Sequence, residues 1–247
     1  MTLLEWITDP SNWTGTRGIP VQIGFHLAYT FLSLAIASAI AIPLGIFIGF
    51  TGKGEALVAG SANALRALPT LGLLILLFLM LAPVIGGQLV FVVPTIIVLV
   101  LLAIPPILTG TYTGIQSADE AAVDAARGMG YTRTQILWRV QMPCALPLLI
   151  SGLRGSTLQV VSTATVAAYL GLQGLGRYII DGRAQADFAQ MAGGALLVAL
   201  LALALELIFS ILGKVLVSPG LRRTTRRRRS TPSDTATAAL TTLTAAR

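Results

Sequence analysis

The chain has 247 residues, of which 55% are hydrophobic and only 11% are charged. A soluble domain carries roughly 25% charged residues, so this composition excludes a water-soluble globular protein and points to a lipid-embedded one. The formal net charge of +7 is concentrated in the tail after Ser218, where seven arginines face only Asp234, a balance of +6. A nucleic-acid binder would carry its basic residues on a folded surface, so none is expected as a partner. One cysteine, Cys144, excludes an internal disulfide. One histidine, His26, beside one cysteine leaves no zinc-type ligand cluster and no metal site.

The first residues, MTLLEWITDPSNWTGTRG, contain acids and lack a basic start and a short apolar core, so they do not read as a cleaved signal. Residues 1–18 are expected to remain as an external N-terminal segment. A spanning helix needs about 20 mostly apolar residues. The first span is HLAYTFLSLAIASAIAIPLGIFIGF, within the charge-free run between Arg17 and Lys53. The charge-free run from Arg66 to Asp119 is too long for one helix and is broken at Pro83, Gly86, Gly87 and Gln88. It gives two spans: LPTLGLLILLFLMLA, beginning upstream near Ala59, and VFVVPTIIVLVLLAIPPILTG. A fourth starts near Pro143 and runs through ISGLRGSTLQVVSTATVAAYLG, a polar loop LQGLGRYIIDGRAQADF follows, and MAGGALLVALLALALELIFSILGKVLV is the fifth. The membrane domain is thus 19–218, and 219–247 is a basic tail expected to lack a fold.

Lys53 and Arg66, then Arg127, Arg133 and Arg139, then the terminal arginines fall on one side if there are five spans. That side is cytoplasmic by the positive-inside rule, which puts the N-terminus outside and the C-terminus inside. Prolines 43, 69, 94, 105, 106 and 147 fall in or beside the spans. They favour kinks, or reflect only the commonness of proline in membrane helices.

The charged segment between spans three and four has its own grammar. Ser117 with Glu120, and Thr132 with Gln135, read as two capping boxes, separated by the helix-ending Gly128 and Gly130. At helical spacing Ala118, Ala121, Ala122, Ala125, Ala126 and Met129 share one arc, with Glu120, Asp124 and Arg127 opposite. A smooth alanine face lets another protein approach the backbone closely; a lipid-surface helix would carry bulky apolar groups instead.

Asp124-Ala125-Ala126, then Gly130 after three residues, then Val140-Gln141-Met142-Pro143 after nine more, resembles the cytoplasmic loop motif E-A-A…G…I-x-L-P of binding-protein-dependent ABC importer permeases. Asp stands for Glu, Val for Ile and Met for Leu. The stretches HLAYTFLSLAIASAIAIPLGIFIGFTG, NALRALPTLGLL, DEAAVDAARGMGYTRTQILWRVQMPCALPLLISGLRGS and TATVAAYLGLQGLGRYI resemble one branch, the permeases for quaternary-amine osmoprotectants such as glycine betaine, choline, carnitine and proline betaine. The resemblance covers about residues 20 to 217. It implies an all-α, five-transmembrane-helix type I importer permease, multi-pass in the bacterial inner or plasma membrane, with a coupling loop at 115–143. The coupling residues it implies are Ala121, Ala122, Asp124, Ala125, Ala126, Gly128, Gly130 and Pro143. Implied partners are separate ATPase subunits that bind ATP and magnesium, an extracytoplasmic substrate-binding protein, and a second permease copy or a paralogue. The chain itself is then no enzyme and binds no cofactor. A permease for methionine or another small solute shares the same plan.

GFTGKG at 49–54 fails the phosphate-loop pattern, since Phe47 stands where the first glycine belongs and Gly54 follows the lysine; Lys53 reads as an inner-side anchor. Gly45/Gly49 and Gly110/Gly114 fit small-residue helix packing. Arg154 and Glu206 are ionisable groups inside spans, and either line a translocation path or snorkel to the inner interface. Tyr169 joins them as a path candidate; Phe25, Tyr29, Phe31 and Tyr178 are the other aromatics able to face a cationic solute. His26 reads as a packing residue. The loop with Gly171, Gly174 and Gly176 is either a plain connection or part of a receptor surface, with the glycines permitting sharp turns. The arginine tail enforces topology or contacts anionic lipid, with topology favoured. An ion-coupled carrier would need buried acids and repeats, and a membrane scaffold would leave the loop motif unused.

Overall fold

The computed structural model describes residues 2–55, 60 and 68–217. The tail at 219–247 and, apart from residue 60, the expected upstream part of span two, around Ala59 to Ala67, lie outside the described residues. Among the described residues the fold is all helix. A short α1 (Leu3–Thr8) and a 3-10 turn (Pro10–Trp13) precede α2 (Ile19–Thr51), α3 (Thr70–Leu81) and α4 (Leu89–Gln116). α5 (Glu120–Gly128) and α6 (Arg133–Ile136) follow, then α7 (Met142–Ala164), α8 (Gly176–Ala184) and α9 (Phe188–Leu216).

Among the described residues, four helices are long and apolar enough to cross a membrane: α2, α4, the continuous run 133–170 that contains α7, and α9. α3 is apolar but has only 12 residues, about 18 Å of rise against a hydrocarbon core of roughly 30 Å.

Close contacts fix the relative directions. Gly45 and Gly49 of α2 lie against Thr111 and Ile115 of α4, so these two run parallel. Gly110 and Gly114 of α4 meet Leu148, Gly152 and Ala145 of α7 in reversed order, so α7 runs against them. Leu74 packs on Val98 and Leu102, and Phe78 stacks on Phe91 at 5.5 Å, so α3 is antiparallel to α4. Arg154 faces Glu206, and Gly213 approaches Ile150, so α9 runs with α2 and α4. Both glycine pairs expected to pack helices do so, and a Cβ at any of the four would collide with the facing helix.

α4 is the centre of the bundle. Leu99, Val100, Ala103, Ile107 and Leu108 pack with Leu34, Ala37 and Ala41 of α2 and Val160 and Ala164 of α7. α9, by contrast, exposes Leu200, Leu203, Leu207, Ile208 and Ile211 along most of its length, an apolar surface suited to lipid rather than water.

His26 is fully buried, its Nε2 3.0 Å from the Val161 carbonyl, and so joins α2 to the end of α7 as a packing residue. The N-terminal segment is folded onto the same end of the bundle. Trp6 is buried edge-on to Tyr178 at 5.2 Å and rests on Gly193 of α9. The expected polar loop after α7 contains a helix, α8, stapled by an i,i+4 ion pair from Arg177 to Asp181. Gly171 and Gly174 take positive φ as expected of turns. Gly176 does not: it begins α8, and it must be small because the backbone of Thr165 lies against it.

Candidate functional site

The site begins where α4 ends. Ser117 does not open a capping box with Glu120 as the sequence suggested. It closes α4 in helical backbone, its hydroxyl donating to the Gly114 carbonyl at 2.7 Å. The cap of α5 is Asp119, whose backbone is extended and whose carboxylate accepts from the Ala121 amide at 3.0 Å. An acid immediately before an alanine-rich run was the signal available for it. The second box forms as read: Thr132 Oγ1 accepts from the Gln135 amide at 3.4 Å, and Gln135 Oε1 accepts from the Thr132 amide at 2.8 Å.

Between the two helices the reversal rests on Gly130 alone. Gly130 has φ +83°, and the Tyr131 amide reaches back to the Ala126 carbonyl at 3.1 Å, the closure that a left-handed residue gives a helix end. Gly128 is the last residue of α5 and keeps ordinary backbone.

Ala121, Ala122, Asp124, Ala125 and Gly128 are exposed on α5, and Met129 beside them is 69% exposed. Ala126 departs from the expected smooth face. It is buried, and with the half-buried Val123 it seats α5 on the bundle. Arg127 donates to Asp124 at 2.8 Å, both exposed, an arrangement that suits the helix dipole but adds little stability. Clefts of 470 and 590 Å³ lie beside α5. The first is shared with Gly49, Ile115 and Gln141, and the second with Lys53, Arg133 and Ile136. The helix therefore projects from the bundle rather than merging into it.

No break separates α6 from α7. A single wide π-turn, Leu137–Gln141, links them, with the Met142 amide bonding the Leu137 carbonyl. The expected proline-led restart is thus a continuous helix. Its widened turn ends just before Pro143, which cannot donate and would crowd an ordinary α-helical turn. Pro143 is exposed in the first turn of α7.

The path candidates are only partly brought together. Arg154 and Glu206 pair with each other, Nε to Oε2 at 2.7 Å with a second contact through Nη2, between α7 and α9. Side-chain exposures of 43% and 24% place the pair at the flank of the chain, and Glu206 lies roughly 15 Å along α9 from its C-terminal end. Neither charge snorkels alone. Tyr169 is half-exposed in a 3-10 turn (Thr165–Leu170), fifteen residues beyond Arg154 and away from the pair. Phe25 and Tyr29 neighbour each other at 6.3 Å, Phe31 is exposed, and Tyr178 is occupied by Trp6 and by the Arg17 carbonyl, to which its hydroxyl donates. Burial pushes the Tyr178 phenol up to about 12. These aromatics form no cage within the single chain.

A helical bundle of long apolar helices, with a short capped helix carried outside it between two that pack closely, defines an all-helical membrane component. The chain belongs to the family described as the binding-protein-dependent transport system inner membrane component, whose profile matches residues 41–222. It is 30% identical over 201 residues to the glycine betaine/carnitine/choline transport system permease protein OpuCB of Bacillus subtilis, covering 81% of this chain and 89% of that one. It is 32% identical over 200 residues to the osmoprotectant import permease protein OsmW of Salmonella typhimurium, covering 80% and 91%. A chain of the MetNI methionine ABC transporter, solved facing inward, superposes with a TM-score of 0.68 at 22% identity over 85% of this chain and all of that one; this likeness concerns the fold.

Proposed function

We propose that this chain is the permease subunit of an ATP-driven importer for small quaternary-amine osmoprotectants of the glycine betaine, choline and carnitine type. The agreement among relatives near 30% identity over four fifths of the chain carries the solute class: OpuBB is named for choline, OpuCB for glycine betaine, carnitine and choline, and OsmW for osmoprotectants. ATP and magnesium belong to a partner ATPase, and a binding protein delivers the solute from outside.

Five spans with the N-terminus outside is the topology we favour. The alternation of α2, α4 and α9 in one direction with α3 and α7 in the other supports it. So does the placing of Lys53, Arg127, Arg133, Arg139 and Lys214 at the end from which the arginine-rich tail departs. The exposed face of α5, from Ala121 to Gly128, together with Gly130 and Pro143, docks on the ATPase. Closing of the ATPase pair drives α4 and α7, and a path between two permease copies alternates its opening. Strong inversion of a two-state population needs about 5.5 kcal/mol of differential binding, which a capped helix can transmit and a slack loop cannot. The Arg154–Glu206 pair and Tyr169 are the path residues of this reading.

Purification of the tagged chain from its native membrane should bring down a separate ATPase. In proteoliposomes, uptake of labelled glycine betaine, choline or carnitine should require ATP and the binding protein and should survive ionophores. Ionophore-sensitive uptake without ATP would replace this reading with an ion-coupled carrier, and uptake of methionine alone would replace the solute class.

A further inference from the structure

At the end of the bundle opposite α5, the N-terminal segment, the residues after α7 and α8 enclose a polar cavity of about 410 Å³. Asn12, Arg17, Gln173, Arg177, Asp181 and Gln185 are among its walls. Its floor is closed by hydrogen bonds. Gln22 Oε1 accepts from the Gly174 amide at 2.6 Å, Gln22 Nε2 donates to Gln173 Oε1 at 3.2 Å, and the Tyr178 hydroxyl donates to the Arg17 carbonyl. Beneath that floor Trp6, Ile19 and Leu175 are buried against one another. A solute entering here meets a packed plug built around the start of α2.

The charges in the cavity do not cancel. Its acid, Asp181, accepts from Arg177 Nε at 2.8 Å, and Arg177 Nη1 also donates to the Gly171 carbonyl at 3.0 Å. Arg17 is exposed, and among the described residues nothing pairs with its guanidinium. The side-chain amide of Gln185 is likewise without a partner among them. A guanidinium offers a planar fork that fits a carboxylate, and a neighbouring amide can donate to the same oxygens.

We propose that this cavity receives an acidic side chain presented by the extracytoplasmic binding protein, with Arg17 as the pairing residue. The proposal rests on the importer reading above. The closed floor favours a protruding carboxylate held by a folded partner over a solute in transit, and the volume admits a side chain with part of its loop.

The test uses the assembled transporter in proteoliposomes, following ATP hydrolysis against the concentration of substrate-loaded binding protein at low salt. Arg17→Glu is expected to raise the half-saturating concentration about tenfold, and Arg17→Gln about threefold, with the plateau still reached. Added salt is expected to weaken the wild type more than Arg17→Gln. These substitutions keep the backbone carbonyl that Tyr178 uses, so the floor stays closed. An Arg17→Glu curve overlying the wild type would overturn the cavity assignment and leave the importer reading standing. Wild-type hydrolysis that the binding protein does not stimulate would overturn both. Stimulation by free glycine betaine without binding protein, lost in Arg17→Gln, would assign Arg17 to the solute's own carboxylate and overturn the proposal.

Discussion

Gly130 offers the sharpest test of the coupling segment, because its role can be separated into backbone shape and charge. A Cβ built on it meets nothing within 4 Å, so substitution costs no steric clash. The cost is conformational: an L-residue held at φ +83° loses about 1–2 kcal/mol. The seat of α5 is of the same order, since burying the Ala126 methyl and half of Val123 contributes roughly 1–2 kcal/mol. A penalty equal to the seat leaves seated and unseated α5 about equally populated. Gly130→Ala is therefore expected to lower ATP-driven uptake about twofold, while Gly130→Asn, which tolerates left-handed backbone, stays near wild type. Gly130→Asp has the shape of Asn but adds a negative charge at the C-terminal end of α5, where the dipole disfavours it and where the proposed ATPase contact would lie. It is expected to abolish uptake with insertion intact. The assay is solute uptake into proteoliposomes holding permease, ATPase and binding protein, normalised to permease in the membrane. Wild-type uptake by both Gly130→Ala and Gly130→Asp would refute the reasoning.

Further outcomes are expected elsewhere in the chain. Glu206→Gln strands Arg154 within the bilayer at a cost of about 2–3 kcal/mol. It should lower the unfolding midpoint in detergent, and Arg154→Met combined with Glu206→Leu should recover it; equal midpoints for all three proteins would remove the ion pair from the stability of the fold. Gly114→Leu drives a side chain into Ala145 and should reduce the yield of folded protein by overpacking, whereas Gly86→Leu, with open space around it, should not. The phenol of Tyr178 is raised to about 12, so its neutral form is favoured by the fold. The stability it lends to the N-terminal cap is complete below its ordinary value near 10 and is lost as pH rises through about 12. Fluorescence of Trp6 in a variant with Trp13 and Trp138 replaced should report release of the cap in that window and no change between pH 6 and 9.

What the sequence made legible was whatever rests on local chemistry. Four of the five expected long apolar helices, the Thr132–Gln135 box and the packing glycines depend on residues a few positions apart, and each of these stands where the pattern put it among the described residues. The misreadings share a different cause. Ser117 and Asp119 both suit a helix start, and the choice depended on how far α4 extends, which its burial against α2 and α7 decides. Ala126 shares its arc with four other alanines, and only the position of the bundle behind α5 makes it the buried one. Arg154 and Glu206 were visible as charges out of place, but 52 positions apart nothing local says that they meet. Trp6 and Gly193 are further apart still, and neither signals the other.

The seat of α5 is small, yet its connections are stiff, and under the proposed docking that difference would let a nine-residue helix act on a membrane bundle. Upstream, Ser117 is bonded back to Gly114 and Asp119 already caps α5, so little chain between α4 and α5 is free to absorb a displacement. Downstream, α6, the π-turn and α7 form one rod, with the Thr132–Gln135 box fixing its start. The two long helices thus joined touch backbone to backbone where Gly110 and Gly114 meet Leu148, Gly152 and Ala145. Packing without intervening side chains has no rotamers to yield and behaves as a bistable contact rather than an elastic one. A push on the alanine face therefore shifts α4 and α7 together. The slack must appear where contact is made through longer side chains: at α9, held to α7 through Arg154 and Glu206, and at α3, which meets α4 through leucines and a stacked pair of phenylalanines.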